Sequence, residues 1–232
     1  MKTLLKYTFL AAAIAALSGM AYANTAVIAL STDGSTWTVV SKDQTASDQN
    51  PDVGKVAWIG NFNGWTGQIE SATTYPVLGS LTQPILDLSY GFNGNGTLYV
   101  AFSANGFGPT LGGTLASIGN NSLSKSTSVT YSTYEGSGDN PNFLLNEGIL
   151  LSQLTISGAN GTSISGLSIN AQGPFSLTQV VEIQIQETDS RLRNTTGDAS
   201  LTTVPDSGTT LMLLGAGLAG LGLVNRLRRR IR

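Results

Sequence analysis

The chain has 232 residues, no cysteine and no histidine. Those two absences exclude a disulfide framework, a Ser-His-Asp or Cys-His catalytic arrangement, and a zinc site built on the usual nitrogen and sulfur ligands. The formal net charge is −2, but only Lys42, Lys55, Lys125, Arg191 and Arg193 stand against all 14 acidic residues between positions 24 and 206, so that stretch carries −9 and lacks the basic surface a nucleic-acid binder needs.

The first 23 residues read as a signal peptide. Lys2 and Lys6 form a basic start, Leu10 to Leu17 a short apolar core, and Ala21-Tyr22-Ala23 a small-x-small cleavage site. Cleavage before Asn24 involves signal peptidase after passage through the Sec machinery. The rest of the chain then lies beyond the inner membrane.

The middle is rich in Gly, Ser, Thr and Asn, and several stretches alternate with period two. Val181, Ile183 and Ile185 share one strand face. Leu98, Val100 and Phe102 share another, with Tyr99 on the opposite side, and Asn95-Gly96 marks the preceding turn. Further strands are expected at 26–30, 36–40, 56–59, 85–90, 129–134, 150–156 and 164–169. Their number and spacing predict an all-β fold: an antiparallel β-sandwich, jelly-roll-like or Ig-like. It spans 24–190 and is flanked by a signal-peptide helix and a C-terminal transmembrane helix. The Gly- and Ser-rich 103–128 stretch is expected to be a long loop or an irregular edge. Residues 191–203 are expected to form the last strand and a polar linker.

Three constellations invite a ligand. The segment 56–65 holds two of the three tryptophans, and Trp58, Phe62 and Trp65 are the candidate ligand-facing aromatics. Phe62-Asn63-Gly64-Trp65 is similar to the short core of a starch- or glycogen-binding module. The competing reading places Trp58 in the core and a hairpin turn at Asn63-Gly64. The acidic loop Asp43, Asp48, Asn50, Asp52, Gly54 lacks the EF-hand spacing, which leaves solvated carboxylates or an irregular calcium site. Glu135, Asp139, Asn140 and Asn142 form a similar set. Glu182 and Glu187 fall on opposite sides of a strand and do not make the carboxylate pair of a glycosidase. No catalytic residue, metal ligand or resident cofactor is assigned, and the chain is read as a non-enzyme.

The tail has three parts. Val204-Pro205-Asp206-Ser207-Gly208 precedes an uncharged run from Thr209 to Val224, and Arg226, Arg228, Arg229, Arg230 and Arg232 close the chain. A spanning helix needs about 20 residues, with ~17 as a lower limit, so a helix over 209–225 is marginal. The arginines fix its orientation, since basic flanks stay cytoplasmic. Gly215, Gly217 and Gly220 match the letter of a dinucleotide fingerprint, but no strand precedes them and no acidic residue follows. Small residues there suit close packing of membrane helices instead.

The order of motif, apolar helix and arginine cluster resembles the PEP-CTERM class of bacterial sorting signals, in its VPDSG-CTERM variant. The resemblance spans 204–232: motif 204–208, helix 209–225 and basic tail 226–232. It implies processing at or near the motif by an exosortase, a membrane-embedded transpeptidase-like protease. Gly94 to Val100, Gly106-Phe107, Val129-Thr130-Tyr131 with Asp139-Asn140, and Pro174 to Val180 resemble the β-rich ectodomains of unknown function that recur ahead of such tails. The expectation is an exported surface or matrix protein, anchored transiently or stably in the membrane. The alternative is a carbohydrate- or calcium-binding module that tethers exopolysaccharide.

Overall fold

The alternating stretches are strands in the computed structural model, which describes residues 25–137, 148–158, 160–171 and 174–205. The expected signal peptide, Asp206 to Gly208, the run 209–225 and the terminal arginines lie outside the described residues, as do Ala21 and Ala23. Among the described residues no helix is long and apolar enough to cross a membrane.

Twelve strands are described: β1 (Ala26–Ser31), β2 (Thr38–Lys42), β3 (Lys55–Phe62), β4 (Trp65–Thr73), β5 (Ile85–Asn93), β6 (Gly96–Phe107), β7 (Thr110–Ser122), β8 (Thr127–Ser137), β9 (Ile149–Ser157), β10 (Asn160–Ala171), β11 (Phe175–Ile185) and β12 (Asn194–Pro205). They form two antiparallel sheets, ordered β2-β1-β6-β11-β8-β9 and β10-β7-β12-β5-β4-β3. The pairs β5–β12 and β7–β10 lie in the second sheet, and β6–β11 and β8–β9 in the first. An antiparallel double ribbon rolled across two sheets gives this order, which is the jelly-roll topology and not the Ig-like one. Strands β1 and β2 widen the first sheet beside β6, and β4 and β3 widen the second beside β5.

The inner faces supply the core. Leu98, Val100 and Phe102 on β6, and Val181, Ile183 and Ile185 on β11, are buried as their alternation requires. They meet Leu86, Leu88, Tyr90 and Phe92 of β5, Ile118 of β7, and Ala199 and Leu201 of β12. Each such Val, Leu, Ile or Phe side chain stabilises the fold by about 1.5–3 kcal/mol on burial.

Two expectations are corrected. The 103–128 stretch is no loop: it holds the end of β6 and all of β7. Strand β7 is poor in strand formers, but it lies between β10 and β12, and Thr114, Ala116, Ile118 and Asn120 turn into the core. A neighbour on each side overrides weak local propensity. At 191–203 the expected last strand is present, but it takes the place of the expected linker. After a 3-10 turn at Ser190–Leu192, β12 runs to Pro205 between β5 and β7. Its inward positions Thr195, Ala199, Leu201 and Thr203 are buried. The Thr203 N–H and hydroxyl both donate to the Pro84 carbonyl, at 3.1 and 3.0 Å.

Candidate functional site: the end of β12 and two outer faces

The motif begins inside the sandwich. Val204 and Pro205 are the last residues of β12, opposite Gly113 and Gly112 of β7. The ladder to β5 has already ended at Thr202↔Ile85. Val204 is extended, as the following proline predicts, and its side chain is 42% exposed. Pro205 has no N–H to give and suits the end of a strand. Thr25, the first described residue, lies at this same end, where its N–H donates to Asn105 Oδ1 at 2.7 Å.

The aromatics expected to face a ligand divide. Asn63 (φ 46°) and Gly64 (φ 87°) make the tight turn between β3 and β4, and that turn sends Trp65 inward, where it is 2% exposed. Trp58 stacks on buried Phe92 at 6.2 Å, and Phe62 packs against the same core. Trp65 is therefore closed to a sugar, and Trp58 and Phe62 face the core rather than a platform. Trp65→Ala is expected to cost about 3–5 kcal/mol, the usual range for a core tryptophan. Trp37→Ala should cost about 1 kcal/mol, the scale of one aromatic pair. Urea denaturation of the two variants checks the difference.

A different aromatic set covers the outer face of the first sheet. Asp33 accepts from the Ser35 and Thr36 N–H groups at 2.8 and 2.7 Å, and these bonds hold its carboxyl below the usual carboxylate range. The loop so fixed carries Trp37 onto Tyr99, edge to face, with centroids 6.2 Å apart. Gly34 lies against the other part of the Tyr99 ring, where a Cβ would come within 3.1 Å. Trp37, Tyr99 and Tyr134, all half-buried, pack on Ala29, Ala101 and Val180. The Tyr99 hydroxyl donates to Glu182 at 3.2 Å, and Gln184 Nε2 donates to the same carboxylate at 2.6 Å. Burial first, and then the Glu182 charge, push the Tyr99 phenol up. The signal for Tyr99 was its position out of phase with Leu98 and Val100. Nothing local marked Trp37 or Tyr134, because the sheet order brings them together.

The outer face of the second sheet is polar around Glu70, Ser89, Thr196 and Asp198. Two shallow grooves, about 430 and 290 Å³, run over Gly67, Gly91 and Gly119 and are lined by Glu70, Ser89, Thr196 and Asp198 among others. The aromatics that border them, Tyr90 and Phe92, are each 2% exposed, so neither groove offers a stacking surface. Asp87 of this face titrates above the usual range, first through desolvation and then through the Asp198 charge. A carboxyl raised in the folded state binds its proton more tightly there, so stability falls as pH rises through its folded pKa. Asp198→Asn is expected to raise the urea midpoint at pH 7 and to lose that advantage at pH 3, where Asp87 is protonated in both variants.

The acidic loop uses its carboxylates on itself. Asp43 accepts from the Gly54 N–H at 2.9 Å, and Asp48 from the Asn50 and Ala57 N–H groups at 2.9 and 3.0 Å. Asp52 pairs with Lys55 at 3.1 Å. Burial raises the Asp43 carboxyl above its usual range. Among the described residues no three acidic side chains converge as metal ligands. Asp139, Asn140 and Asn142 lie outside the described residues. Glu135 is half-buried, and burial raises its carboxyl.

Against known proteins, residues 203–230 match the VPDSG-CTERM motif. The chain thus carries a C-terminal sorting motif, and the match starts at Thr203, inside β12. No curated protein matches the sequence. Among solved structures, the chain is similar to the carbohydrate-binding module CBM6cm-2 of Cellvibrio mixtus lichenase 5A in complex with cellotriose. That likeness has 11% identity and a TM-score of 0.31, over 63% of this chain and 92% of that one. It is similar to the K1 cleaved adhesin domain of Lys-gingipain from Porphyromonas gingivalis at 12% identity and a TM-score of 0.34, over 65% and 98% of the two chains. The C-terminal CBM6 of LamC from Zobellia galactanivorans gives 14% and 0.28 over 49% and 80%. The jelly roll itself rests on the strand order.

Proposed function

We propose that the protein is an exported, non-enzymatic jelly roll that an exosortase-type membrane enzyme processes at its C-terminal tail and leaves at the cell surface or in the extracellular polymer layer. The observation that carries this reading is the sorting motif at 203–230, joined without a linker to a sandwich whose last strand ends at Pro205. The uncharged run 209–224 and the arginines behind it supply a membrane stop with a cytoplasmic end. The −9 charge of the exported part favours solubility outside the cell. The test is the mass of the protein recovered from the cell exterior. It should lack residues 1–23 and the arginine cluster. Recovery of a chain that keeps both ends would sink the reading.

A second reading is favoured by Trp37, Tyr99 and Tyr134. Half-buried aromatics beside Glu182 and Gln184 on a sheet face suit saccharide stacking with hydrogen bonds at the rim. A glycan array on the intact chain should then show saturable binding that Trp37→Ala removes. An array without saturable signal excludes this role.

A further inference from the structure

We infer that the outer face of the second sheet, around the point where β12 leaves the sandwich, rests on the lipid surface. The inference depends on the proposal that the run 209–224 enters the membrane.

Four exposed aliphatic side chains meet there. Leu111 and Leu115 flank Gly113 on β7, and Gly113 is the register partner of Val204. Leu115 pairs with Gly166 of β10, and Ile164 lies two residues on. Strand period two puts all four on one face, each diagonal to the next, at about 7–8 Å. Their exposures are 63% for Leu111, 43% for Leu115, 67% for Ile164 and 42% for Val204. Gly113 and Gly166 leave the surface between them flat. Neither β7 nor β10 contains a single Asp, Glu, Lys or Arg. On a domain that carries −9, these two strands bring no carboxylate of their own to an anionic headgroup layer, and the carboxylates of the same face, Glu70, Asp87 and Asp198, lie on β4, β5 and β12.

The occupant follows from where the chain goes. Only Asp206, Ser207 and Gly208 separate β12 from the uncharged run. From Val204 to Thr209 the chain takes five residue steps, which reach at most about 18 Å when fully extended. A run inserted in a bilayer thus holds Val204 within about that distance of the lipid. A second copy of the chain fits less well. A specific protein interface buries at least about 1,000 Å², which four side chains around two glycines do not supply. A bilayer demands no complementary shape.

The absence of cysteine makes the test clean. Full chains carrying Leu111→Cys, Ile164→Cys, Leu123→Cys or Leu218→Cys are labelled with an environment-sensitive fluorophore. They are reconstituted in phosphatidylcholine/phosphatidylglycerol vesicles with and without a spin-labelled lipid, labelled at the headgroup for positions 111, 164 and 123 and deep in the acyl chain for position 218. Leu123, 60% exposed, follows β7 at the opposite end of the sandwich and serves as the control. The expected result is lipid-dependent quenching at positions 111, 164 and 218 and none at 123. Quenching at 218, with position 111 no different from 123, overturns the lipid contact and leaves the membrane tail standing. A probe at 111 that is shielded in vesicles but not quenched by the labelled lipid points to a second copy and also overturns it. No quenching at 218 removes the tail reading and this inference together.

Discussion

A chain that stops after Arg193 is expected not to fold, and a chain that stops after Pro205 is expected to fold as a cooperative unit. The difference is β12. It closes the rolled ribbon and lies between β5 and β7, so its removal exposes two strand edges in the middle of a sheet. Each lost ladder hydrogen bond costs about 0.5–1.5 kcal/mol, and a domain's whole stability is about 5–15 kcal/mol. Loss of both ladders, together with the buried Ala199 and Leu201, is of the same size as that total. The bared edges also template aggregation. Far-UV circular dichroism and urea denaturation of the two purified chains check this. Cooperative unfolding of the shorter chain would mean that β12 is dispensable and that residues 191–203 serve as a linker after all.

That result bears on how much the sequence discloses. Stretches with a strong two-residue alternation, such as Val181 to Ile185 or Leu98 to Phe102, are strands with the expected face buried. Each of the nine strands expected between 24 and 190 is present, and so is the last strand expected within 191–203. The sequence hides β7, and the full extent of β12, because their burial comes from neighbours. Strand β7 presents Thr, Ala, Ile and Asn inward and Gly, Ser and Leu outward, so no contrast of hydropathy marks it. In β12 only Ala199 and Leu201 among the inward residues are apolar, and Thr195 and Thr203 are buried through hydrogen bonds instead. Such strands depend on register with partners tens of residues away, which no local window contains.

The candidate site divides along the same line. The motif at 204–208 is legible because it is contiguous. The Asn63-Gly64 turn is legible too, and it decides against Trp65 as a ligand contact because a two-residue hairpin fixes which way the next strand's side chains point. Trp37, Tyr99 and Tyr134 come from three strands or loops whose adjacency follows from the order β1-β6-β11-β8. Only the assembled sheet shows them as one cluster.

The second large effect concerns the motif. Pro205→Ala together with Asp206→Ala is expected to abolish processing, so that the chain keeps its arginine cluster and stays in the membrane fraction. Mass spectrometry of that fraction reads the outcome. Unchanged processing and location in the double variant would falsify the sorting assignment. The fold makes a finer version possible. Val204 and Pro205 are held against Gly113 and Gly112, and Thr203 just before them is pinned to Pro84. An enzyme that grips the motif as an extended peptide must therefore draw the end of β12 away from β7. A short Gly/Ser spacer between Thr203 and Val204 frees the motif from that ladder while β12 keeps its pairing with β5. Processing of the spacer variant is expected to be faster than that of the natural chain in a pulse-chase comparison. An equal rate would mean that the enzyme engages only residues from Asp206 onward. The last two strand residues would then belong to the sandwich alone.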